Sequence, residues 1–206
     1  MKEIKIRKAI QKDLPEIMRV EKNSYSPQLQ ASREVLGFRL KTFGIWVAEV
    51  DGVIRGFFTC VPAELSWPNP NIKEIIKNRN PKYTPWFEIY IKGIKPNTLF
   101  VTSTAVETGW QERGIGTALV KYSLSLAKKL NLQYRASALR CEYLKFFKKT
   151  KKPIKVFVDE VTKGNIQDRF LGLYLKLGFT LDQPLPNYEP YKGSKDFNIF
   201  AYKKVK

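Results

Sequence analysis

The sequence contains no histidine and only two cysteines among its 206 residues. The lack of histidine excludes serine–histidine and cysteine–histidine nucleophile pairs and histidine metal ligands, so proton transfer must use Glu, Asp, Tyr, Lys, Cys or water. Cys60 and Cys141 have neither the spacing of a metal site nor the number that a disulfide framework needs. We therefore expect no metal cofactor, and a cytoplasmic protein, because reducing compartments keep thiols free.

Long apolar runs and acidic residues are also scarce. No stretch approaches the ~18 consecutive apolar residues that suggest a membrane span, and Met1–Lys5 holds no apolar signal region, so we expect no membrane contact. Asp and Glu number 19 against 37 Lys and Arg, and the net charge of +18 attracts polyanions. Because the lysines are spread along the whole chain, a solvated Lys-rich surface is favoured over a nucleic-acid-binding face, which stays open as an alternative.

The most informative stretch covers residues 99–130. It begins as a strand that ends at Val106, passes through a loop with Gly114 and Gly116, and continues with apolar residues at helical spacing. A strand, a glycine-containing turn and a helix N-terminus form an anion site, because the first amides of a helix have no intrahelical partner. The loop is not a Walker loop, which needs Lys before its Ser or Thr, nor a dinucleotide fingerprint, because Leu119 stands where a small residue is required.

Two motifs carry a family resemblance. The Q-x-x-G-x-G pattern of residues 111–116 closely resembles the acetyl-CoA loop of GNAT superfamily N-acetyltransferases, whose loop amides hold the pyrophosphate of coenzyme A. The string Leu173–Phe179 resembles the Y-x-K-x-G-F motif of the same family. Because both motifs occur in the expected order, this interpretation is favoured over a plain turn that happens to hold two glycines. The resemblance implies acetyl-CoA as co-substrate and these binding residues: Ala105, Val106, Gln111, Glu112, Arg113, Gly114, Ile115, Gly116 and Thr117.

The resemblance also implies the GNAT fold for a single domain over residues 1–206. This is a mixed α/β architecture, with a central mixed sheet of six to seven strands flanked by helices. Two insertions depart from the family pattern, at residues 62–97, between the third and fourth strands, and at about 141–165. Residues 62–97 hold six of the 12 prolines and several aromatic residues. We expect them to form either a lid over the acceptor site or a subunit contact in a homodimer.

Local signals predict several element boundaries. Asp51-Gly52 predicts a β-hairpin. Asp13 followed by Glu16 predicts a capping box at the first helix, Ser32 can cap the second, and Asp168 can cap the helix that begins at Arg169. Residues 153–161 fit either the fifth main strand or an inserted helix, of which we favour the helix. The later segment that contains Pro184, Pro186 and Pro190 is expected to form a loop that closes over the acceptor.

The activity implied by the resemblance is transfer of an acetyl group from acetyl-CoA to an amine on a small molecule or a protein. By analogy, the amide of Val106 or its neighbour stabilises the oxyanion, and Tyr174 protonates the departing thiolate. The alternative for Tyr174 is a ring that only packs against the pantetheine arm. The general base stays open among Glu160, Glu107, Glu88 and a water chain. Two other functions also stay open, a non-catalytic acyl-CoA sensor and a basic nucleic-acid-binding module.

Overall fold

A computed structural model describes residues 3–42, 44–68, 70, 95–188 and 191–206 of the chain. The strands of the described residues are β1 (Lys5–Lys8), β2 (Ile45–Val50), β3 (Val53–Ala63), β4 (Thr98–Val106), β5 (Tyr134–Leu139), β6 (Thr180–Pro186) and β7 (Phe197–Lys204). Their α-helices are α1 (Leu14–Ser24), α2 (Arg33–Thr42), α3 (Ile115–Lys129), α4 (Tyr143–Thr150), α5 (Ile154–Thr162) and α6 (Arg169–Lys176). The strands form one seven-stranded sheet in the order β1-β2-β3-β4-β5-β7-β6, in which the β4–β5 pair is parallel and the others are antiparallel.

Helices cover both faces of this sheet. On one face, α1 and α2 pack Ile17 and Leu36 against the strands. On the other face, α3 packs through Leu119 and α6 packs through Leu171. Because successive strand residues point to opposite faces, the mostly apolar strands can supply both cores at once. The arrangement confirms the predicted mixed α/β class and the predicted number of strands.

Several local predictions are confirmed. Asp51 and Gly52 both have positive φ values, 53° and 74°, as required at the centre of the hairpin turn whose twist matches that of the strands. The Val35 amide donates to Ser32 Oγ at 3.3 Å, which caps α2. Residues 154–162 form the inserted helix α5 rather than a main strand.

The predicted capping box at α1 is wrong. The helix begins at Leu14 without a hydrogen bond from the Asp13 side chain to its first turn. Asp13 instead accepts from the Ile10 amide at 2.8 Å and from Arg7 at 2.6 and 3.0 Å. Glu16 reaches across to the sheet and accepts from the Ile54 amide at 3.1 Å. Asp13 therefore joins the start of α1 to β1, and Glu16 joins α1 to β3. These contacts outweigh the local capping preference of the two carboxylates.

The Arg7–Asp13 pair makes stability depend on pH. Hydrogen bonds from the Arg7 guanidinium hold the pKa of Asp13 below its usual range, despite its burial. A carboxyl whose pKa is lowered by folding stabilises the protein above its unfolded pKa, near 4, and loses that contribution as the pH falls through the folded value. We expect the parent to exceed Asp13→Asn in urea stability at neutral pH and this difference to shrink below about pH 4. A difference that stays constant from acidic to neutral pH would contradict this.

The structure also corrects the expected loop near the C-terminus. Pro184 and Pro186 lie in β6, which pairs with β7 at one edge of the sheet. Proline is tolerated there because an edge strand has backbone amides that need no ladder partner. The loop that follows β6 is therefore shorter than predicted, and Pro190 lies outside the described residues.

The predicted insertion at residues 62–97 is described only at its two ends. Trp67 stacks on Tyr134 with ring centroids 3.8 Å apart, and its Nε1 donates to Thr98 Oγ1 at 3.0 Å. The side-chain amide of Asn97 exchanges hydrogen bonds with the backbone of Leu65. Both ends are thus anchored at the start of β4 and β5. Residues 71–94, on which the lid prediction depends, lie outside the described residues.

Candidate active site

The parallel strands β4 and β5 separate towards their carboxyl ends. Their pairing runs from Thr98–Tyr134 to Val101–Ser137, whereas β4 continues to Val106. At the point of separation, the register between β3 and β4 shifts so that Thr102 is the extra residue. A bulge of this kind bends a strand and increases its twist. We call the resulting opening between residues 102–106 of β4 and residues 138–140 the wedge.

Two backbone amides of β4 face the wedge. The Glu107 amide donates to the Arg55 carbonyl at 2.8 Å, and hydrogen-bonded and non-bonded pairs alternate along antiparallel strands. Val106 and Thr104 therefore belong to non-bonded pairs, and their backbone groups point away from β3. Their carbonyls accept from side chains at the end of α1: Ser24 Oγ bonds Val106 at 3.0 Å, and the Tyr25 hydroxyl bonds Thr104 at 2.8 Å. The two amides are left to face the wedge.

A second group of amides lies at the start of α3. Gly114 has φ 84°, and this left-handed conformation lets the loop turn into the helix. The first intrahelical bond runs from the Ala118 amide to the Gly114 carbonyl at 2.9 Å. Among the described residues, the backbone amides of residues 111–117 have no hydrogen-bond acceptor. The helix dipole adds positive potential at this point, so the loop can bind an anion.

The structure brings the predicted binding residues together. Ala105 is buried with its side chain on the α1–α2 face, so it contributes backbone alone. Gln111 donates from Nε2 to the Val106 carbonyl at 3.4 Å, which ties the loop to the end of β4. A Cβ built on Gly116 would lie 3.9 Å from both Val106 Cγ2 and Leu173 Cδ2. Hence the start of α3 lies between the edge of the wedge and α6.

Glu107 anchors the loop, a role that sequence reasoning missed. Its two carboxylate oxygens accept from Arg19 and Arg55, and Asn23 Nδ2 donates at 3.3 Å. Arg55 also stacks on Trp110 at 4.2 Å. Because both oxygens are already engaged by guanidinium groups, Glu107 is poorly suited to act as the general base. No local pattern announces this cluster, since Arg19 is 88 positions from Glu107.

Gly56 allows the close approach of α3 to the sheet. A Cβ at this position would lie 2.8 Å from the Ala105 carbonyl oxygen and 3.0 Å from Ile115 Cγ2. We expect Gly56→Ala to lower the free energy of unfolding by about 1–3 kcal/mol, because backbone or helix must shift. The matched control is Gly172→Ala in α6, where a Cβ meets nothing within 4 Å. Equal urea stability of Gly56→Ala and the parent would show that this approach is not tight.

Tyr174 lies on α6 beside a buried cation. Asp168 caps the helix as predicted, accepting from the Phe170 and Leu171 amides at 2.9 and 2.8 Å. The Tyr174 hydroxyl accepts from Arg135 Nη2 at 3.4 Å, and Tyr174 as a whole residue is 6% exposed. Arg135 lies two residues before the point where β4 and β5 separate, so its contact with Tyr174 is close to the start of the wedge.

Arg135 itself is unusual because it is a charged side chain with no exposed surface. Its Nε donates to Ser123 Oγ at 3.1 Å, and its guanidinium stacks on the Tyr174 and Phe179 rings. Nη1 has no hydrogen-bond partner among the described residues. An uncompensated buried charge is costly, so it is a candidate functional group. No local sequence signal distinguishes it from the other basic residues.

The opposite face of the wedge carries a second cation. Arg140 follows β5, and its Cζ lies 4.7 Å from the centre of the Tyr25 ring and 5.4 Å from that of Tyr191. Glu160, one of the candidate bases, lies on α5 and accepts from Asn165 at 3.0 Å. Since α5 packs against α4, α6 and β6, Glu160 is not brought to the wedge. Glu88 lies outside the described residues.

The sequence model of the acetyltransferase (GNAT) family matches residues 7–148. The GphF GNAT-like decarboxylase in complex with isobutyryl-CoA superposes with a TM-score of 0.79 at 18% identity, over 98% of this chain and 100% of that one. The loading GNATL domain of CurA from Lyngbya majuscula gives 0.78 at 14% identity over 98% of each chain. The yncA protein from Salmonella typhimurium, solved with its cofactor acetyl-CoA, gives 0.59 at 13% identity over 98% and 94%.

At these identities the likeness concerns the fold, and it confirms the predicted GNAT fold. A comparison with curated protein sequences found no match. No helix in the described part of the chain is both long and apolar enough to cross a membrane. Within the same ranges, no three His, Cys, Asp or Glu side chains are grouped so as to hold a metal ion.

Proposed function

Since the chain belongs to the acetyltransferase (GNAT) family, we propose that it transfers an acetyl group from acetyl-CoA to an amine. The observation that carries this proposal is the wedge, with the Thr104 and Val106 amides facing it and the start of α3 at its edge. An acyl-CoA needs donors for its pyrophosphate and donors for its carbonyl. The described residues offer both within one region.

The pyrophosphate is assigned to residues 111–117. Several amides converge there without acceptors among the described residues, and the helix dipole favours negative charge. Arg113, which stacks on Trp110 at 4.8 Å, adds a fixed cation beside the loop. These residues fit coenzyme A and supply binding energy without taking part in the bond changes.

The acyl carbonyl is assigned to the amides that face the wedge. When the amine attacks, a C–N bond forms and negative charge develops on the carbonyl oxygen. Backbone donors held rigidly in a sheet stabilise that charge without reorganisation. The Val106 amide is the preferred donor, because it lies at the end of β4 next to the loop, and the Thr104 amide is its neighbour on the same edge.

Tyr174 is assigned as the acid that protonates the sulfur as the C–S bond breaks. Arginine has only donors, so the Tyr174 oxygen must accept from Arg135, and its own hydrogen is directed to another acceptor. The charge that develops on the phenol oxygen during proton transfer is stabilised by the buried guanidinium. Glu107 and Glu160 are engaged elsewhere, so the attacking amine loses its proton to water or to Glu88.

The experiment that tests this function is a thiol-release screen with acetyl-CoA over amines, peptides and polyamines, with mass spectrometry of the products. The assay has little background from the protein, because both cysteines are buried and burial raises the pKa of Cys141 to about 12 and that of Cys60 even further. An acetylated amine supports the proposal. Acetyl-CoA binding without thiol release for any acceptor in the panel favours the non-catalytic acyl-CoA sensor. Polyanion binding with a steep salt dependence favours the nucleic-acid-binding module.

A second candidate function is decarboxylation of a carboxyacyl-CoA. It is favoured by the TM-score of 0.79 with the GphF GNAT-like decarboxylase, against 0.59 with the acetyl-CoA complex of yncA. In that reaction, the C–C bond to the carboxylate breaks, carbon dioxide leaves and the α-carbon takes a proton. Incubation with malonyl-CoA in the absence of an amine distinguishes the two, because only the decarboxylase forms acetyl-CoA.

A further inference from the structure

We propose that Arg140 and Asn198 form a subsite for a carboxylate on the α1–α2 side of the wedge. This rests on the proposed function and names the substrate class, an acceptor that carries a carboxylate near its amine. In the register of β5 and β7, Ala138 pairs with Phe200 and Leu139 with Ile199, so the next opposing residues are Arg140 and Asn198. Side chains of directly opposed residues lie about 5 Å apart at Cβ.

Both side chains lie on the same face of the sheet. Successive residues alternate between faces, and Phe200 belongs to the core cluster on the α1–α2 side, with Ala138 packed against it. Asn198 and Arg140, two residues further along each strand, share that side. The Arg140 guanidinium lies over the ring of Tyr25, which directly follows α1. This contact also places Arg140 on the α1–α2 side of the sheet. The pair therefore lies where an acceptor would meet the acyl group.

The buried and unpaired side-chain amide of Asn198 is the feature that points to a ligand. It has no exposed surface, and neither its Oδ1 nor its Nδ2 has a hydrogen-bond partner among the described residues. Buried amides are nearly always satisfied, and each exception needs an explanation. The neighbouring β7 residue on this face is the apolar Phe200, so packing alone does not require an amide here. A ligand that offers both an acceptor and a donor explains both atoms.

Arg140 supplies the charge that selects a carboxylate. The Tyr25 hydroxyl donates to the Thr104 carbonyl at 2.8 Å and lies 2.9 Å from Ser103 Oγ. This fixes the ring over which Arg140 lies, and so holds the cation at the wedge. The planar guanidinium binds a carboxylate with two parallel hydrogen bonds. The Asn198 Nδ2 donates to the same carboxylate, and its Oδ1 accepts from the amine. Since Asn198 has no exposed surface, the side chains that cover it must move before the ligand reaches it.

The carboxylate can belong to the acceptor or to the acyl group, and the test separates these sources. The acceptor arm compares amino acids with their amides, which keep the amine but lose the negative charge, using acetyl-CoA as donor. The acyl arm compares acetyl-CoA with malonyl-CoA at one acceptor. We expect kcat/KM to favour the amino acid over its amide by on the order of 10- to 100-fold, the value of a hydrogen bond to a charged group.

Two variants test the assigned residues. Arg140→Met and Asn198→Leu should each abolish the preference for the free carboxylate while acetyl-CoA affinity, measured by calorimetry, stays unchanged. Asn198→Leu removes an unsatisfied amide at nearly constant volume, so it should fold at least as stably as the parent. Lys128→Met, an exposed residue near the end of α3, controls for the loss of one positive charge.

A failure of the carboxylate subsite can be distinguished from a failure of the proposed acetyl transfer. Thermal shifts with N-acetylglycine and with its amide report carboxylate binding even if no acceptor is turned over. A preference for N-acetylglycine that both variants lose supports the subsite. Equal shifts with the two probes, or a preference that survives in both variants, overturns it. A preference confined to malonyl-CoA over acetyl-CoA overturns the acceptor assignment and places the carboxylate on the acyl group.

Discussion

Tyr174→Phe is expected to lower the turnover number for acetyl transfer by ~10²–10⁴-fold, the usual contribution of a general acid. The ring keeps its edge-to-face contact with Phe179, at 4.9 Å between centroids, and its stacking under Arg135. Only the hydroxyl is lost, so acetyl-CoA affinity should stay within about twofold of the parent while the chemical step slows. Steady-state kinetics and calorimetry on the same preparation measure the two quantities. A turnover number within about twofold of the parent would end the acid assignment, because that lies far inside the expected loss.

The role of Arg135 is tested by a double-mutant cycle with Tyr174. If Arg135 acts through the phenol, then Arg135→Met lowers turnover in the parent but adds nothing in the Tyr174→Phe background. Methionine fills a similar volume, and replacing a buried charge by an apolar side chain is often tolerated. A thioester with a more acidic leaving thiol should rescue both single variants, because it needs no proton on sulfur. Additive losses in the cycle would show that Arg135 only stabilises the fold.

Gly116→Asp is expected to weaken acetyl-CoA binding by on the order of 10²-fold, because it places a carboxylate among the amides assigned to the pyrophosphate. The variant should fold, because a Cβ at this position has ordinary contacts at 3.9 Å and an acidic residue in the first turn of a helix is favourable. Calorimetric titration with acetyl-CoA measures the effect.

Matched controls separate charge from size at the same position. Gly116→Ala should bind acetyl-CoA nearly as well as the parent, because its methyl group fits between Val106 and Leu173. Gly116→Asn should fall between Gly116→Ala and Gly116→Asp, because it has the shape of aspartate without the charge. Unchanged affinity in Gly116→Asp would move the pyrophosphate away from this loop, and equal losses in all three variants would indicate a steric effect.

The features that could be predicted from the sequence depend on residues that are close together in the chain. The glycine-containing loop at residues 111–116, the hairpin at Asp51-Gly52 and the cap at Asp168 are short patterns whose geometry depends on neighbours within a few positions. The strand–loop–helix order of residues 99–130 follows from the same kind of information, because periodicity distinguishes a strand from a helix. Local sequence was misleading where a partner on another element competed. Asp13 accepts from Arg7 on β1 and Glu16 accepts from Ile54 on β3 instead of capping α1, and Pro184 and Pro186 lie in an edge strand.

The sequence by itself determined the mixed α/β class, the turn from a strand into a helix at residues 111–117, where we predict an anion site, and the position of Tyr174 on a helix. Only the tertiary structure decided that β4 and β5 separate after Val101, that Glu107 joins the loop to Arg19 and Arg55, and that Arg135 meets Tyr174. The same holds for Arg140 and Asn198, which become neighbours through the β5–β7 register. These contacts join residues far apart in the chain. The hydrophobic periodicity of one strand does not reveal which residues of another strand lie opposite it. Their energies depend on burial and on partners that the folded chain brings together.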